Sequence, residues 1–319
     1  LGGIGDSSAQ AAEPPQFHET PLNPDFLEFW ENPPETFYGK LPPPVDLSYL
    51  KDIPVERVKA LPQSLPSTFD WRTQGKVTPV KDQNSCGTCW AFGTTSALES
   101  AVLIGENTEY DFSEQSVALC VDRSWVYLYD DSDEPCALVP GHGGGWSWLA
   151  SEVFIKKGAV LESCSPYDGS GLQCNGTCVC DGCTPIKRLT GYRLVADSAD
   201  MIAEVKNAIY NNGPVSMAYC HEDSHVYHGN IYYWPNCTQA TSHLVCIVGW
   251  NDAIEWPGHS GYGAWIVKNS WGTEWPDGDN GYFYLCYGSA NMDEAASYRY
   301  KDYDPNETVY YWDEAYWLG

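Results

Sequence analysis

The feature that most limits how this chain can fold is the order of its hydrophobic rhythms, helical spacing first and short strand-like runs afterwards. Cys89–Ile104 carries little Pro or Gly, places Ala97, Leu98, Ala101 and Val102 on one face and stops at Gly105, so it reads as a buried helix. Ser113–Cys120, Trp146–Lys157 and Ala199–Asn211 predict three more, the last with Ile202, Val205 and Ile209 in one stripe. Pro214–Cys220, His243–Gly249, Ala264–Lys268 and Tyr282–Tyr287 are apolar, β-branched or aromatic runs between turn signals, hence strands. Helices followed by strands predict an α+β chain of two packed halves.

Residues 1 to about 66 do not share this rhythm. Pro14-Pro15, Pro33-Pro34 and Pro42-Pro43-Pro44 prevent long helices. One short helix is predicted from Asn23 to Trp30, with Asn as cap and Pro24 in the first helical position. The aromatics of this arm need a surface to cover. The arm either packs along the main domain as an extended strap or lies over an active site as a pro-segment.

The 43% hydrophobic and 14% aromatic content of the 319 residues suffices for a sizeable core. Against 43 acidic residues there are 17 Lys and Arg, a formal charge of −26 that repels phosphate and anionic membranes and excludes a nucleic-acid binder. No apolar run approaches the roughly 20 residues of a spanning helix. Thirteen cysteines and the Asn-x-Thr triplets at Asn175, Asn236 and Asn306 point to an oxidising, secretory or extracytoplasmic setting. The chain opens at Leu1 without an initiator Met, so an upstream segment is expected. The odd cysteine count leaves twelve to pair and one that is spare or reactive. The dense run Cys174, Cys178, Cys180 and Cys183 is read as disulfide-forming rather than as a zinc site, since its spacings are irregular.

The segment Gln83-Asn-Ser-Cys86-Gly87-Thr88-Cys89-Trp90-Ala91-Phe92 is a loop of small residues running into a helix whose first residue is a cysteine. Helix N-termini favour anions, so Cys89 is expected to exist partly as thiolate. Gln83 offers a side-chain amide and Cys89 its own N–H as donors to an oxyanion. Leu65 to Ser100 resembles the active-site region of papain-family cysteine peptidases, including Asp70-Trp71-Arg72 and Val77-Thr78-Pro79-Val80-Lys81. Three further blocks follow in that family's order: Gly143-Gly144-Gly145-Trp146, Thr241-Ser242-His243-Leu244, and Trp265-Ile-Val-Lys-Asn269-Ser-Trp271-Gly272.

The resemblance implies a papain-like fold, with a helical half, a β-barrel-like half and the cleft between them. It implies that Cys89 attacks the peptide carbonyl, His243 holds and delivers the proton, Asn269 orients the imidazole, Gln83 helps bind the oxyanion and Trp271 shields the His243–Asn269 bond. Gly144 and Gly145 line the substrate cleft, and Trp146, Ala218 and Leu244 wall an apolar pocket for the residue two places before the scissile bond. His18, His221, His225, His228 and His259 read as surface residues, while the field of the chain favours imidazolium at His243. By the same resemblance Cys86 pairs with Cys136, because His142 stands where a cysteine is usual, and Cys120 pairs with Cys174. Cys246 is a candidate unpaired core thiol.

Other segments depart from the family. The acidic stretch Asp130 to Glu134 is either a solvated loop or a cleft border that selects substrate. Asp277 to Gly281 lacks the later ligands of a calcium loop and reads as a hairpin turn. The arm lacks the usual spaced pro-segment motif. The expected organisation is an arm at 1–64 acting as a pro-segment, a peptidase domain at 65–303, and an aromatic tail at 304–319 that is either appended or the start of another domain. The expected activity is that of a secreted thiol endopeptidase acting on proteins or peptides, with no metal or organic cofactor. An exopeptidase, a thiol amidase and a non-catalytic adhesion protein on the same fold are the alternatives.

Overall fold

A computed structural model describes residues 23–32, 38–42, 64–121, 144–169, 182–195, 201–227, 230–276 and 280–306. Helix α1 (Pro24–Glu31) starts where its cap predicts, with Asn23 Oδ1 accepting the Asp25 N–H at 3.0 Å, and it buries Phe26 and Phe29. Helix α2 (Cys89–Glu106) is buried on every face as far as Leu103, which suits a central helix rather than an amphipathic one. It passes Gly105 and ends at Asn107, whose φ of 55° makes the left-handed cap. Gly105 serves packing instead, since a Cβ there would lie 2.2 Å from the Tyr300 hydroxyl. Helices α3 (Glu114–Leu119), α4 (Ser147–Lys156) and α5 (Met201–Asn212) match the remaining helical stripes. Ser113 Oγ caps α3 by accepting the Ser116 N–H at 2.9 Å.

The sheet contains β1 (Thr68–Asp70), β2 (Lys187–Leu194), β3 (Val215–Tyr219), β4 (Val226–Tyr227), β5 (Ile231–Tyr232), β6 (His243–Glu255), β7 (Tyr262–Lys268), β8 (Tyr282–Cys286) and β9 (Asp293–Asp302). Its order is β2-β9-β3-β6-β7-β8-β5-β4, with β1 added to the far part of β6. The expected barrel-like half is therefore an open sheet. One edge, β2, pairs only with β9 among the described strands, and the other ends in the two-residue pair β4–β5, too short to return and close. Strand β6 is the spine, with its first eight residues buried and its last five partly exposed. Helix α2 packs against it, and Cys89 at the start of α2 clusters with Leu244 at the start of β6.

Buried charges stitch the helices to the sheet. Lys81 Nζ donates to Glu99 at 2.8 Å, Glu114 at 2.9 Å and the Phe112 carbonyl at 2.9 Å, while Lys268 of β7 reaches Thr78 at 3.0 Å. Burial opposes the charge on Lys81, but the Glu114 and Glu99 carboxylates override it and hold the ammonium protonated.

Disulfides join Cys164 to Cys183 and Cys220 to Cys237, and Cys86 and Cys120 are also disulfide-bonded. Cys183 thus sits in a disulfide, as the reading of the cysteine-dense run expected; Cys136 and Cys174 lie outside the described residues. Three thiols rather than one are free among the described residues, Cys89, Cys246 and Cys286, all buried. Cys246 is the unpaired core thiol its apolar strand suggested, whereas Cys286, also in an apolar strand, is a free thiol that the even-pairing argument does not anticipate. No described helix is long and apolar enough to cross a membrane. The acidic stretch at 130–134, most of the 277–281 turn and the tail beyond 306 lie outside the described residues.

Candidate active site

Cys89 opens α2 and is buried against Ala218 and Leu244, which face each other across β3 and β6. His243 opens β6. Its Nε2 lies 2.7 Å from Asn269 Oδ1, which also accepts the Ser270 N–H at 2.9 Å, so that oxygen is an acceptor and Nε2 carries the proton. His243 Nδ1 is buried without a hydrogen bond, leaving it as the nitrogen available to a neighbouring sulfur. Trp271 stacks on the imidazole with centroids 4.4 Å apart and planes 19° apart, which keeps water off the pair. Gln83 is fixed at both ends of its amide: Oε1 accepts from Ser270 Oγ at 2.7 Å, and Nε2 donates to the Cys86 carbonyl at 2.8 Å. Asn269 and Ser270 thus orient His243 and Gln83 together. Ser270 is a contributor that the sequence reading missed, although it lies inside the asparagine block.

Gln83 Nε2 has a second acceptor, the Tyr38 carbonyl at 3.2 Å. Tyr38 to Leu41 run through the cleft from this point. Gly145 donates its N–H to the Gly39 carbonyl at 2.8 Å and accepts the Leu41 N–H at 2.9 Å, and Lys40 N–H reaches the Ser242 carbonyl at 3.3 Å. The pairing is a parallel bridge of Lys40 with Gly145. Gly39 crosses so closely that a Cβ would lie 2.2 Å from the Gly87 carbonyl atoms, and its φ of 114° is open to glycine. The Tyr38 ring lies against His243, His221 and Trp271 at centroid distances of 5.6, 4.9 and 5.1 Å.

Under this cover the expected thiolate is absent. Burial pushes the Cys89 thiol up to about 12, against smaller opposing effects from the Leu244 backbone, the Lys40 charge and the Trp90 backbone. Burial also brings His243 down to about 3, His221 lowers it further, and only the Asn269 hydrogen bond opposes. The helix N-terminus and the negative field of the chain, which predicted thiolate and imidazolium, are outweighed by desolvation.

The other expected cleft residues divide. Gly145 carries the backbone bridge, and Ala218 and Leu244 surround Cys89. Gly144, with φ of 95°, leads into the bridge. Trp146 is buried in the helical core and stacks parallel to Trp148 at 6.2 Å, so its ring belongs to packing rather than to an open pocket wall. His221 was expected on the surface and is instead 2% exposed. It directly follows the fully buried β3 and the disulfide-bonded Cys220, a position that could have signalled burial. His259 is exposed and His225 is half-buried against Trp234. No described His, Cys, Asp or Glu group of three or more could hold a metal ion.

Residues 65–301 match the family model described as "Papain family cysteine protease". A probable cysteine protease, RD19B, of Arabidopsis thaliana is 32% identical over 71% of this chain and 59% of its own length. Cysteine proteinase 1 of Dictyostelium discoideum is 33% identical over 70% of this chain and 62% of its own, so the chain spans about three fifths of these relatives. The cysteine protease and lectin-like domains of Cwp84, a surface-layer associated protein of Clostridium difficile, superpose with a TM-score of 0.69 at 20% identity, over 92% of this chain and 63% of that one, a likeness of fold. With four motif blocks in order, a buried cysteine packed on Leu244 next to the His243–Asn269 pair and a family match over most of its length, the chain belongs to the papain family of cysteine proteases.

Proposed function

We propose that this chain is a latent cysteine endopeptidase, built from a peptidase unit at 65–303 and an N-terminal arm that blocks its cleft. The reading is carried by the convergence of the machinery on one carbonyl. Tyr38 C=O receives the Gln83 amide while the Tyr38 ring touches His243, and Cys89 packs on Leu244 beside them.

In the uncovered site the Cys89 proton passes to His243 Nδ1. The thiolate sulfur bonds to the substrate carbonyl carbon, and charge gathers on its oxygen where Gln83 Nε2 and the Cys89 N–H donate. The C–N bond then breaks, its electron pair stays on the amine, and the His243 proton goes to that nitrogen. Water, losing a proton to His243, attacks the thioester and restores the thiol. Asn269 Oδ1 holds Nε2–H throughout, which aims Nδ1 at the sulfur. Ala218 and Leu244 favour an apolar residue two places before the scissile bond. Disulfides at Cys164–Cys183 and Cys220–Cys237 support an oxidising, extracytoplasmic compartment.

The arm supports latency by its direction. Reading from the Gln83 donor toward Gly145, it runs Tyr38, Gly39, Lys40, Leu41. A substrate pairing antiparallel with Gly145 would present its backbone in the reverse sense, so the Tyr38 carbonyl occupies the donor site without presenting a correctly oriented leaving group. Titration with an epoxide thiol inhibitor after arm removal, followed by peptide mapping, tests the assignment. Label on Cys89 alone and loss of turnover in Cys89→Ala are expected; label on Cys246 or Cys286 instead, or turnover surviving Cys89→Ala, overturns it. Incubation of the full chain with a thiol at mildly acidic pH should shorten it near residues 60–66, and a chain fully active while intact rules out the arm as inhibitor.

A further inference from the structure

The two donors offered to an oxyanion, the Gln83 amide and the Cys89 N–H, belong to opposite ends of one short loop, and a single side chain ties those ends together. Tyr167 Oη lies 2.9 Å from the Gln83 carbonyl and 2.7 Å from Thr88 Oγ1. A carbonyl can only accept, so the one phenolic proton goes to Gln83, and Thr88 donates its own to the phenol. The bonds therefore run in one direction, from Thr88 through Tyr167 to Gln83. Chains of this kind strengthen each member, and this one is anchored on α2, since the half-buried Tyr167 ring meets Phe92 at 4.8 Å and 89°.

Thr88 gives up a usual role to make this contact. It is the N-cap of α2, where a threonine hydroxyl ordinarily accepts an N–H of the first turn, yet its side chain makes no such bond. The Trp90 N–H, one of the donors a capping hydroxyl takes, bonds to the Cys89 sulfur instead. Gln83 is held as firmly. Its N–H donates to the Ser270 carbonyl at 2.8 Å, and its carbonyl accepts the Cys86 N–H at 3.3 Å as well as the phenol. The segment that carries the phenol is itself fastened on both sides. Tyr167 N–H donates to Glu162 Oε1 at 2.6 Å, Asp168 N–H to Gln115 Oε1 at 3.0 Å, and the Ser165 carbonyl accepts from Ser113 Oγ at 2.5 Å. Gly169 then passes the loop so closely that a Cβ would lie 2.8 Å from Asn84 Nδ2.

Resting on the peptidase reading, we propose that Tyr167 is a positioning residue for the reaction: by tying Gln83 to Thr88, its hydroxyl holds the Gln83 amide and the Cys89 N–H at the separation a tetrahedral oxyanion requires. It acts through those donors rather than on substrate or proton. Donors fixed before the charge develops need no reorganisation when it does, and a site whose supporting contacts are loose loses that advantage. The phenol is suited to the task. Burial raises it, the Thr88 hydrogen bond opposes, and the charges of Glu114, Asp82 and Cys89 raise it further, so it stays a donor through the acid and neutral range.

The test compares, in arm-free enzyme, chemistry that builds an oxyanion with chemistry that does not. Tyr167→Phe keeps the ring and deletes the hydroxyl. Its kcat on a peptide amide should fall about tenfold with KM within about twofold, and a peptide aldehyde, whose adduct places an oxygen at the two donors, should bind about tenfold more weakly. Alkylation of Cys89 by iodoacetamide forms no oxyanion and should keep its rate within about twofold. Thr88→Val should repeat this pattern, and Thr88→Ser, which retains the hydroxyl, should recover most of the loss. In a Gln83→Ala background Tyr167→Phe should cost no more than about threefold, because the amide it positions is gone. Turnover and aldehyde affinity within about twofold of wild type in Tyr167→Phe, or a full tenfold cost in the Gln83→Ala background, overturn the proposal. Alkylation that falls in step with turnover also overturns it, by making the phenol a support for the thiol or the fold. Wild-type enzyme that cuts no peptide, or that is labelled elsewhere than at Cys89, overturns the peptidase reading instead.

Discussion

Cys89 and His243 each lie in the form that burial prefers, thiol and neutral imidazole, so the covered pair holds the same number of protons as the thiolate–imidazolium pair proposed for the open site. Opening the cleft moves a proton within the pair and takes none from solvent, and the pair alone gives opening no pH dependence. His221 differs, because burial lowers it and exposure would return it toward 6.5. The open state then binds the extra proton, so covering is fully favoured above about 6.5 and weakens as pH falls from there toward the lowered value. Alkylation of Cys89 in the full chain, followed by mapping, should be at least about a hundredfold slower at pH 7 than after arm removal, given a thiol held near 12. An epoxide that reacts at acidic pH should label the full chain faster as pH drops below about 6.5, and less so in His221→Phe. Equal labelling rates with and without the arm would contradict the protective role. The residues themselves were legible in the sequence because Gln83, Cys86 and Cys89 form one short local pattern. Their protonation was not, because the segment that covers them, Tyr38 to Leu41, comes from a Pro-rich stretch with no signal of where it docks.

Elements were legible where one face is buried and illegible where burial is shared. The stripes of α2 to α5 and the apolar runs of β3, β7 and β8 reappear within about two residues of their expected bounds, while β6 starts where expected but runs six residues past Gly249, to Glu255, through its polar and partly exposed end. Strand β2, with the sequence Lys-Arg-Leu-Thr-Gly-Tyr-Arg-Leu, is too polar to stand out, and it exists by pairing with β9. The open sheet follows from the same dependence, since closure rests on edge strands whose lengths sequence pattern sets poorly. The arm behaves as an element too, a short extended strand that needs Gly39 to cross Gly87. In Gly39→Ala the new methyl meets backbone rather than a mobile side chain, and the left-handed φ is strained as well. The arm should lift from the cleft to relieve the clash with Gly87 while the peptidase unit, whose own sequence is unchanged, stays folded. Full-length Gly39→Ala should therefore react at Cys89 at least about tenfold faster than wild type, with the rate after arm removal unchanged. A full-length variant as unreactive as wild type would show that Gly39 does not hold the arm in place.

At the scale of the whole molecule, the helices and the sheet are joined by a buried acid that has nothing to do with the reaction. Glu99, in the middle of α2 with a fully buried side chain, accepts from Lys81 Nζ at 2.8 Å, Thr78 Oγ1 at 2.7 Å and the Phe112 N–H at 2.8 Å. Thr78 in turn accepts from Lys268 of β7 at 3.0 Å, so one carboxylate links α2, the loop before α3 and the sheet. Glu114 shares the same lysine; burial and the Glu99 charge push it up while Lys81 pulls it down, so Glu99 is the partner on which the cluster's ionic balance depends. The sequence shows Glu99 as the one charged residue of the helix before Glu106, and nothing local tells which cation meets it. Glu99→Ala removes three hydrogen bonds at once and leaves Lys81 with weaker compensation in a buried setting. Breaking a buried pair from one side costs about 3–5 kcal/mol, and in a chain of this size that lowers Tm by roughly 10 °C. Glu99→Gln, with its one amide oxygen facing Lys81 and the Phe112 N–H, loses the charge and the acceptor for Thr78 Oγ1 but keeps the other two contacts, and should lose about half as much. Calorimetry on arm-free protein inactivated at Cys89 separates this from self-digestion. A Tm within about 2 °C of wild type for Glu99→Ala would mean that water replaces the carboxylate and that the two layers are held by their apolar cores instead.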